Sequence, residues 1–203
     1  MLKKTTTLFF ILTSLLSVAQ KSFVGSLEYN VSSIDFLSKD TINGKLFIYA
    51  RDSLVRINYR FSDGKNQETI HHLGQHKMLS LLDVDGQYFA IQIKDTVKTS
   101  RKYIYHKRLV WSNFIELKCR EAVVEFPEGS SLLYYYKKID ARYFVGFKNA
   151  PGLPVRGQIP TENGIMSFEL DKIDRRTPPQ GLFMPDKKYK VISLEAFMQW
   201  SKQ

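Results

Sequence analysis

From Phe23 onward, apolar and polar residues alternate with a period of two, and short clusters of turn residues break the alternation. This is the pattern of strands with one face in a core and one in water. Phe23, Gly25, Leu27, Tyr29 and Val31 share one side of a first strand. Leu46–Ala50 forms a second, turned by Arg51-Asp52-Ser53. Leu54–Phe61 is the clearest: Val55, Ile57, Tyr59 and Phe61 face one way, Arg56, Asn58 and Arg60 the other. Gln67–Leu73, Lys77–Leu82 and Tyr88–Ile93 follow. Asp85-Gly86 supplies the positive-φ pair of a tight hairpin. Ile115–Phe126, Ser131–Lys137, Arg142–Lys148, Gln158–Thr161 and Ile165–Lys172 read as further strands, with Asn163-Gly164 turning the last pair. Residues 95–112 carry no clear period. Thr177-Pro178-Pro179-Gln180-Gly181 ends the sheet and Leu182–Pro185 closes it. Ile192–Trp200 predicts one helix, N-capped by Ser193, with Leu194, Phe197 and Met198 on one face. Roughly ten strands joined by short loops predict a mainly β fold, an antiparallel sandwich, barrel or strongly curved sheet.

The segment before Phe23 has a different character. Met1-Leu2-Lys3-Lys4 is a short positive stretch, Leu8–Leu16 is apolar, and Ser17-Val18-Ala19 places small residues at −3 and −1. Charge, order and spacing are those of a secretory signal peptide over 1–19, cleaved before Gln20. The apolar run is shorter than the roughly 20 residues of a membrane anchor. Gln20 stands where a lipoprotein would carry cysteine. The expectation is an exported, soluble product without a lipid anchor, periplasmic or extracellular, with one β-rich domain over 20–203 and no cofactor.

Composition changes this picture only slightly. The chain holds a single cysteine, Cys119, so no internal disulfide can form; it is either a buried small hydrophobe or a free thiol. The formal charge is +10, and removal of Lys3 and Lys4 lowers it by two. A basic exported protein suits anionic lipid headgroups or acidic polysaccharide, and nucleic acid is a poor partner in that compartment. The basic residues are dispersed; the densest run is Lys98–Lys102, continuing to His106-Lys107-Arg108.

Candidate chemistry is sparse. His71, His72 and His76 cluster, but adjacent strand residues point to opposite faces, and ligation needs converging imidazoles. Asp83/Asp85 and Asp171/Asp174 sit at a turn and a strand end, ordinary places for aspartate. No nucleophile elbow, zinc-protease helix or phosphate-binding loop occurs. The aromatics are more telling, because they fall inside strands. They either fill a solid core or line an apolar cavity.

Four motifs bear on that choice. The opening strand reads Phe-x-Gly-x-Leu-x-Tyr at Phe23, Gly25, Leu27 and Tyr29. A middle strand carries Lys118-Cys119 followed by Glu121-Ala122. Pro151-Gly152-Leu153-Pro154-Val155 precedes a hairpin, and Leu182-Phe183-x-Pro185 is followed by Tyr189. In this order they resemble the small exported Bacteroidetes proteins related to the periplasmic lipoprotein carriers LolA and LppX, including the families known for a GLPGLI motif. Here the turn reads Pro-Gly-Leu-Pro-Val. The resemblance implies a sheet bent into a half-barrel, with helical cover on its open side and a C-terminal helix. It also implies a non-catalytic carrier whose apolar cavity shields a lipid or lipoprotein acyl group. The expected lining is Val55, Ile57, Tyr59, Phe89, Ile91, Tyr134, Tyr136, Tyr143, Phe147 and Phe168. The rival expectation is an envelope scaffold with a solid core and a basic surface, near Arg101, Lys102, Lys107 and Arg108, that contacts anionic envelope components.

Overall fold

Hairpin turns organise the chain into one open, curved sheet of twelve strands. The computed structural model describes residues 22–94, 103–127, 129–144, 146–147, 149–161 and 163–202. The expected signal peptide and the Lys98–Lys102 run lie outside them. The strands are β1 (Gly25–Asp35), β2 (Thr41–Arg51), β3 (Leu54–Phe61), β4 (Asn66–His72), β5 (Lys77–Val84), β6 (Gln87–Lys94), β7 (Ile104–Phe114), β8 (Leu117–Phe126), β9 (Gly129–Tyr136), β10 (Leu153–Pro160), β11 (Gly164–Asp174) and β12 (Lys190–Ser193). Their spatial order is β12-β6-β5-β4-β3-β2-β1-β11-β10-β9-β8-β7. β12 runs parallel to β6, and the other pairings are antiparallel. Helix α1 (Leu194–Trp200) follows, with the Ser193 hydroxyl accepting the Ala196 N–H at 3.2 Å.

β3 begins and ends where the alternation predicts. Asp85 and Gly86 adopt φ of 51° and 80°, and the Gly86 N–H bonds the Asp83 carboxylate, closing β5 on β6. Elsewhere the sequence reading needs correction. Ile115–Phe126 is not one strand: Ile115 and Glu116 both take positive φ, 41° and 67°, and form the β7–β8 turn. β12 was not expected, being a four-residue run next to the helix.

The largest correction concerns Arg142–Lys148. Its described residues join no strand. Ala141–Tyr143 is a single 3-10 turn, capped by the Asp140 carboxylate on the Arg142 N–H, and Phe144 then departs in an extended conformation. The segment leaves the sheet because its apolar side chains are needed on top of it. Tyr143, Phe144 and Phe147 are all almost fully buried, which strict strand alternation would not allow for adjacent residues. They pack onto the apolar face made by Leu27, Tyr29, Leu46, Ile48, Val55, Ile57, Leu133, Phe168 and Leu170. Ring centroids stand 5.1 Å apart for Tyr29–Phe144, 4.7 Å for Phe144–Phe168 and 5.5 Å for Phe147–Phe168. The helical cover implied for the open side is thus supplied here by a peptide segment, residues 137–152, which we call the lid.

The opposite face divides in two. Over β3–β6 the chain that follows β11 crosses it as a strap. Arg56 pairs with Glu68 at 2.7 Å and donates to the Leu182 carbonyl at 2.7 Å, and Tyr189 packs on Ile70, Leu81 and Ala90. Over β1, β2 and β9–β11 no such strap crosses it among the described residues. At the far edge, β7 breaks register between Lys107 and Trp111, throwing Leu109 out to 95% exposure. Such a bulge, with Lys107 and Arg108 beside it, discourages edge-to-edge pairing with other chains.

Phe168 touches sheet and lid together, so Phe168→Ala should lower stability by roughly 3–5 kcal/mol in urea unfolding. Leu109→Ala, at the exposed bulge, should change it by less than about 0.5 kcal/mol.

Candidate functional site

Two regions among the described residues bear on binding. The first is the apolar layer beneath the lid, which the lid's own side chains fill. Val55, Ile57, Tyr143, Phe147 and Phe168 meet in one cluster, with Tyr59 packed at its margin. Phe89 and Ile91 are buried too, but at the β6 end, where Phe89 stacks against Phe197 at 5.5 Å and Trp200 at 4.5 Å. Tyr134 and Tyr136 alternate out of the layer. Their neighbours Leu133 and Tyr135 are fully buried, and a Cβ on Gly157 would touch both Leu133 and the Phe168 ring, which fixes Leu133 on the core side. Tyr134 instead packs on Phe114 at 4.8 Å. Leu132–Tyr136 is apolar at every position, so its pattern alone does not show which parity faces the core.

The lid is held at few points. The Tyr143 hydroxyl accepts from the Phe23 N–H at 2.9 Å and from the Arg142 guanidinium at 3.0 Å, and donates to the Asp52 carbonyl at 3.2 Å. That uses the full capacity of a phenol. The Leu153 N–H bonds the Ile139 carbonyl at 2.9 Å and closes the lid's base. Under it, the Tyr29 hydroxyl donates to the Pro154 carbonyl at 2.9 Å, the partner a buried phenol requires. Burial holds the Tyr29 phenol well above its ordinary range.

The second region is a trough of about 960 Å³ on the opposite face. Pairing across the sheet aligns its lining in a row over six consecutive strands: Tyr134, Arg156, Glu169, Asn30, Lys45 and Arg60. A second row, Gln158, Ser167, Ser32 and Asn43, runs alongside. Lys45 is held by Glu28 and Asp171, both at 2.9 Å, and these two contacts raise its pKa, the Asp171 bond foremost. Arg156 lies 3.5 Å from Glu169. Arg60 stacks on Phe47 at 4.9 Å and has no ion pair among the described residues. The sequence reading missed this site. Polar positions in an alternating strand look alike whether they face bulk water or line a trough.

His71 and His72 point to opposite faces, as their strand positions require; the Thr69 hydroxyl contacts His71 Nε2 at 2.9 Å, and His76 lies in an exposed turn. Among the described residues no three His, Cys, Asp or Glu side chains converge as a metal-binding group. Cys119 is fully buried.

No protein-family model matches the chain, and neither does any curated protein sequence. Among solved structures, PNGF-II in its P21 and C2 crystal forms matches with TM-scores of 0.49 and 0.50 at 7% and 8% identity. Each match covers 87% of this chain, which spans about a third of PNGF-II, 33% and 32%. LprF from Mycobacterium bovis matches with a TM-score of 0.32 at 12% identity, over 76% of this chain and 88% of its own. At such identities the C2 form of PNGF-II indicates a shared fold alone.

Burial pushes the Cys119 thiol up to about 11 and the Tyr59 phenol up to about 12, from ordinary values of 9.0 and 10.0. Both groups stay neutral in the fold while the unfolded chain ionises. The stability linked to them is therefore intact below the unfolded values and is lost as pH rises through the folded ones. Urea midpoints should fall between about pH 9 and pH 12, less steeply for Cys119→Ala. A colorimetric thiol reagent should leave native Cys119 untouched and label it fully in denaturant.

Proposed function

We propose that the protein is an exported, non-catalytic carrier that takes a lipid or lipoprotein acyl chain into the apolar layer beneath the lid. One observation carries this reading: the wide apolar face of the sheet is covered by a peptide segment with a single 3-10 turn, not by a packed layer of helices. Such a cover can lift while the hydrogen-bonded sheet stays whole. With the lid raised, Val55, Ile57, Tyr59 and Phe168 become the wall against which an acyl chain lies. Tyr143 and Phe147 move with the lid and close over the cargo. Phe89 and Ile91 extend the wall toward α1, whereas Tyr134 and Tyr136, on the other parity of β9, take no part in it.

The magnitudes favour exchange of cargo for lid contacts. Burying about twelve CH₂ groups contributes on the order of 10 kcal/mol, whereas exposing Phe144 and Phe147 costs roughly 1.5–3 kcal/mol each. The hydrogen bonds of Tyr143 add about 1 kcal/mol each to the closed state. A water-filled compartment, reached through the signal peptide at 1–19, is where an acyl chain needs such shielding. The resemblance to the LolA and LppX carriers points to the same cargo.

The test is native mass spectrometry of the protein purified from its own envelope, followed by lipid extraction and fluorescent fatty-acid uptake. Retention of an acyl species through high salt is expected, because apolar burial is insensitive to screening. Tyr143→Phe, which loosens the lid, should speed uptake several-fold. A bare mass together with no uptake by either protein would contradict the proposal.

A further inference from the structure

The trough on the face opposite the lid has no part in acyl binding, and its chemistry is different. Its floor is built from β1–β3 and β9–β11, two parallel rows of polar side chains with Leu132 and Phe61 among the lining as apolar contacts. Five inter-strand spacings of about 4.8 Å make the longer row about 24 Å across. A volume of about 960 Å³ is ample for an extended ligand.

We propose that this trough binds an acidic glycan lying across the strands. The side chains supply what a hydroxyl-rich chain needs. Asn30, Asn43 and Gln158 offer both donors and acceptors, Ser32 and Ser167 offer hydroxyls, and Glu169 accepts from sugar hydroxyls. The aromatic ring of Tyr134 closes one end. An acyl chain would leave these polar groups without partners, which is costly.

Arg60 selects the acidic class. The lining holds three cations, Lys45, Arg60 and Arg156, and one carboxylate, Glu169, while Glu28 and Asp171 reach in to Lys45, so the charges balance and only Arg60 goes unanswered among the described residues. Lys45 is committed to Glu28 and Asp171, and Arg156 is half exposed beside Glu169. Arg60 is left to a ring contact with Phe47 and no carboxylate among the described residues. Its planar fork is matched to a carboxylate or sulfate on the ligand, with Arg156 as a second such contact at the other end of the row. The strap that covers β3–β6 leaves this half of the face open, so the ligand does not have to displace it.

The probe is oligogalacturonate, with the neutral maltohexaose as its match, titrated calorimetrically into the full chain. The acidic oligomer should bind and the neutral one should not, with affinity falling as salt rises. Arg60→Gln and Arg156→Gln should each weaken binding roughly tenfold, while the urea midpoint stays unchanged. Lys107→Gln with Lys118→Gln, on the distant β7–β8 hairpin, should leave it as it was. Three outcomes would overturn the proposal: no binding, equal binding of both oligomers, or losses at the Lys107 and Lys118 variants as large as those at Arg60. The last would mean nonspecific attraction to a basic protein.

Discussion

An open sheet of twelve strands has more apolar surface on one face than its own edges can hide, and one short stretch of chain covers its centre. The lid does so by presenting Tyr143, Phe144 and Phe147 together toward the sheet, which a strand cannot do. Its position is set by the Tyr143 hydroxyl, which ties the entry to β1, the β2–β3 turn and the lid itself through Phe23, Asp52 and Arg142. The close contacts among Tyr29, Phe144, Phe147 and Phe168 follow from that placement.

The arrangement of the other face follows from the route of the chain after β11. Arg56 is the fixed point: its pairing with Glu68 and its bond to the Leu182 carbonyl hold the strap over β3. The strap then carries Tyr189 onto a small second cluster and delivers β12 alongside β6. The covered half buries Ile70 and Leu81 on the nominally polar side. The uncovered half keeps polar residues at the equivalent positions, and there the trough forms. The two proposed ligands, of opposite chemistry, would lie on opposite faces of the sheet.

Much of this was legible in the sequence, for reasons specific to each element. β3 alternates cleanly from Val55 to Phe61 and its turns carry Asp, Ser and Gly, so its limits follow directly. Asp85-Gly86 and Ser193 act through local backbone geometry that tertiary contacts do not alter. The lid was read as a strand because Tyr143, Val145 and Phe147 imitate a period of two; only the buried Phe144 between them marks the difference. The Ile115–Glu116 turn carries neither Gly nor Asn, although both residues adopt positive φ. β9 is apolar at successive positions, so which parity entered the core depended on pairing with β8 and on the room Gly157 leaves for Leu133 and Phe168. The trough was invisible, because it is made by aligning single polar residues from six strands.

Hydrogen–deuterium exchange, with and without a saturating fatty acid, tests whether the lid lifts while the sheet persists. Faster exchange is expected only in residues 137–152 and at the Phe23 and Leu153 amides, with β1–β3 and β11 as protected as before. Unchanged protection across the lid under saturating fatty acid, or loss of protection spread evenly over the sheet, would contradict it.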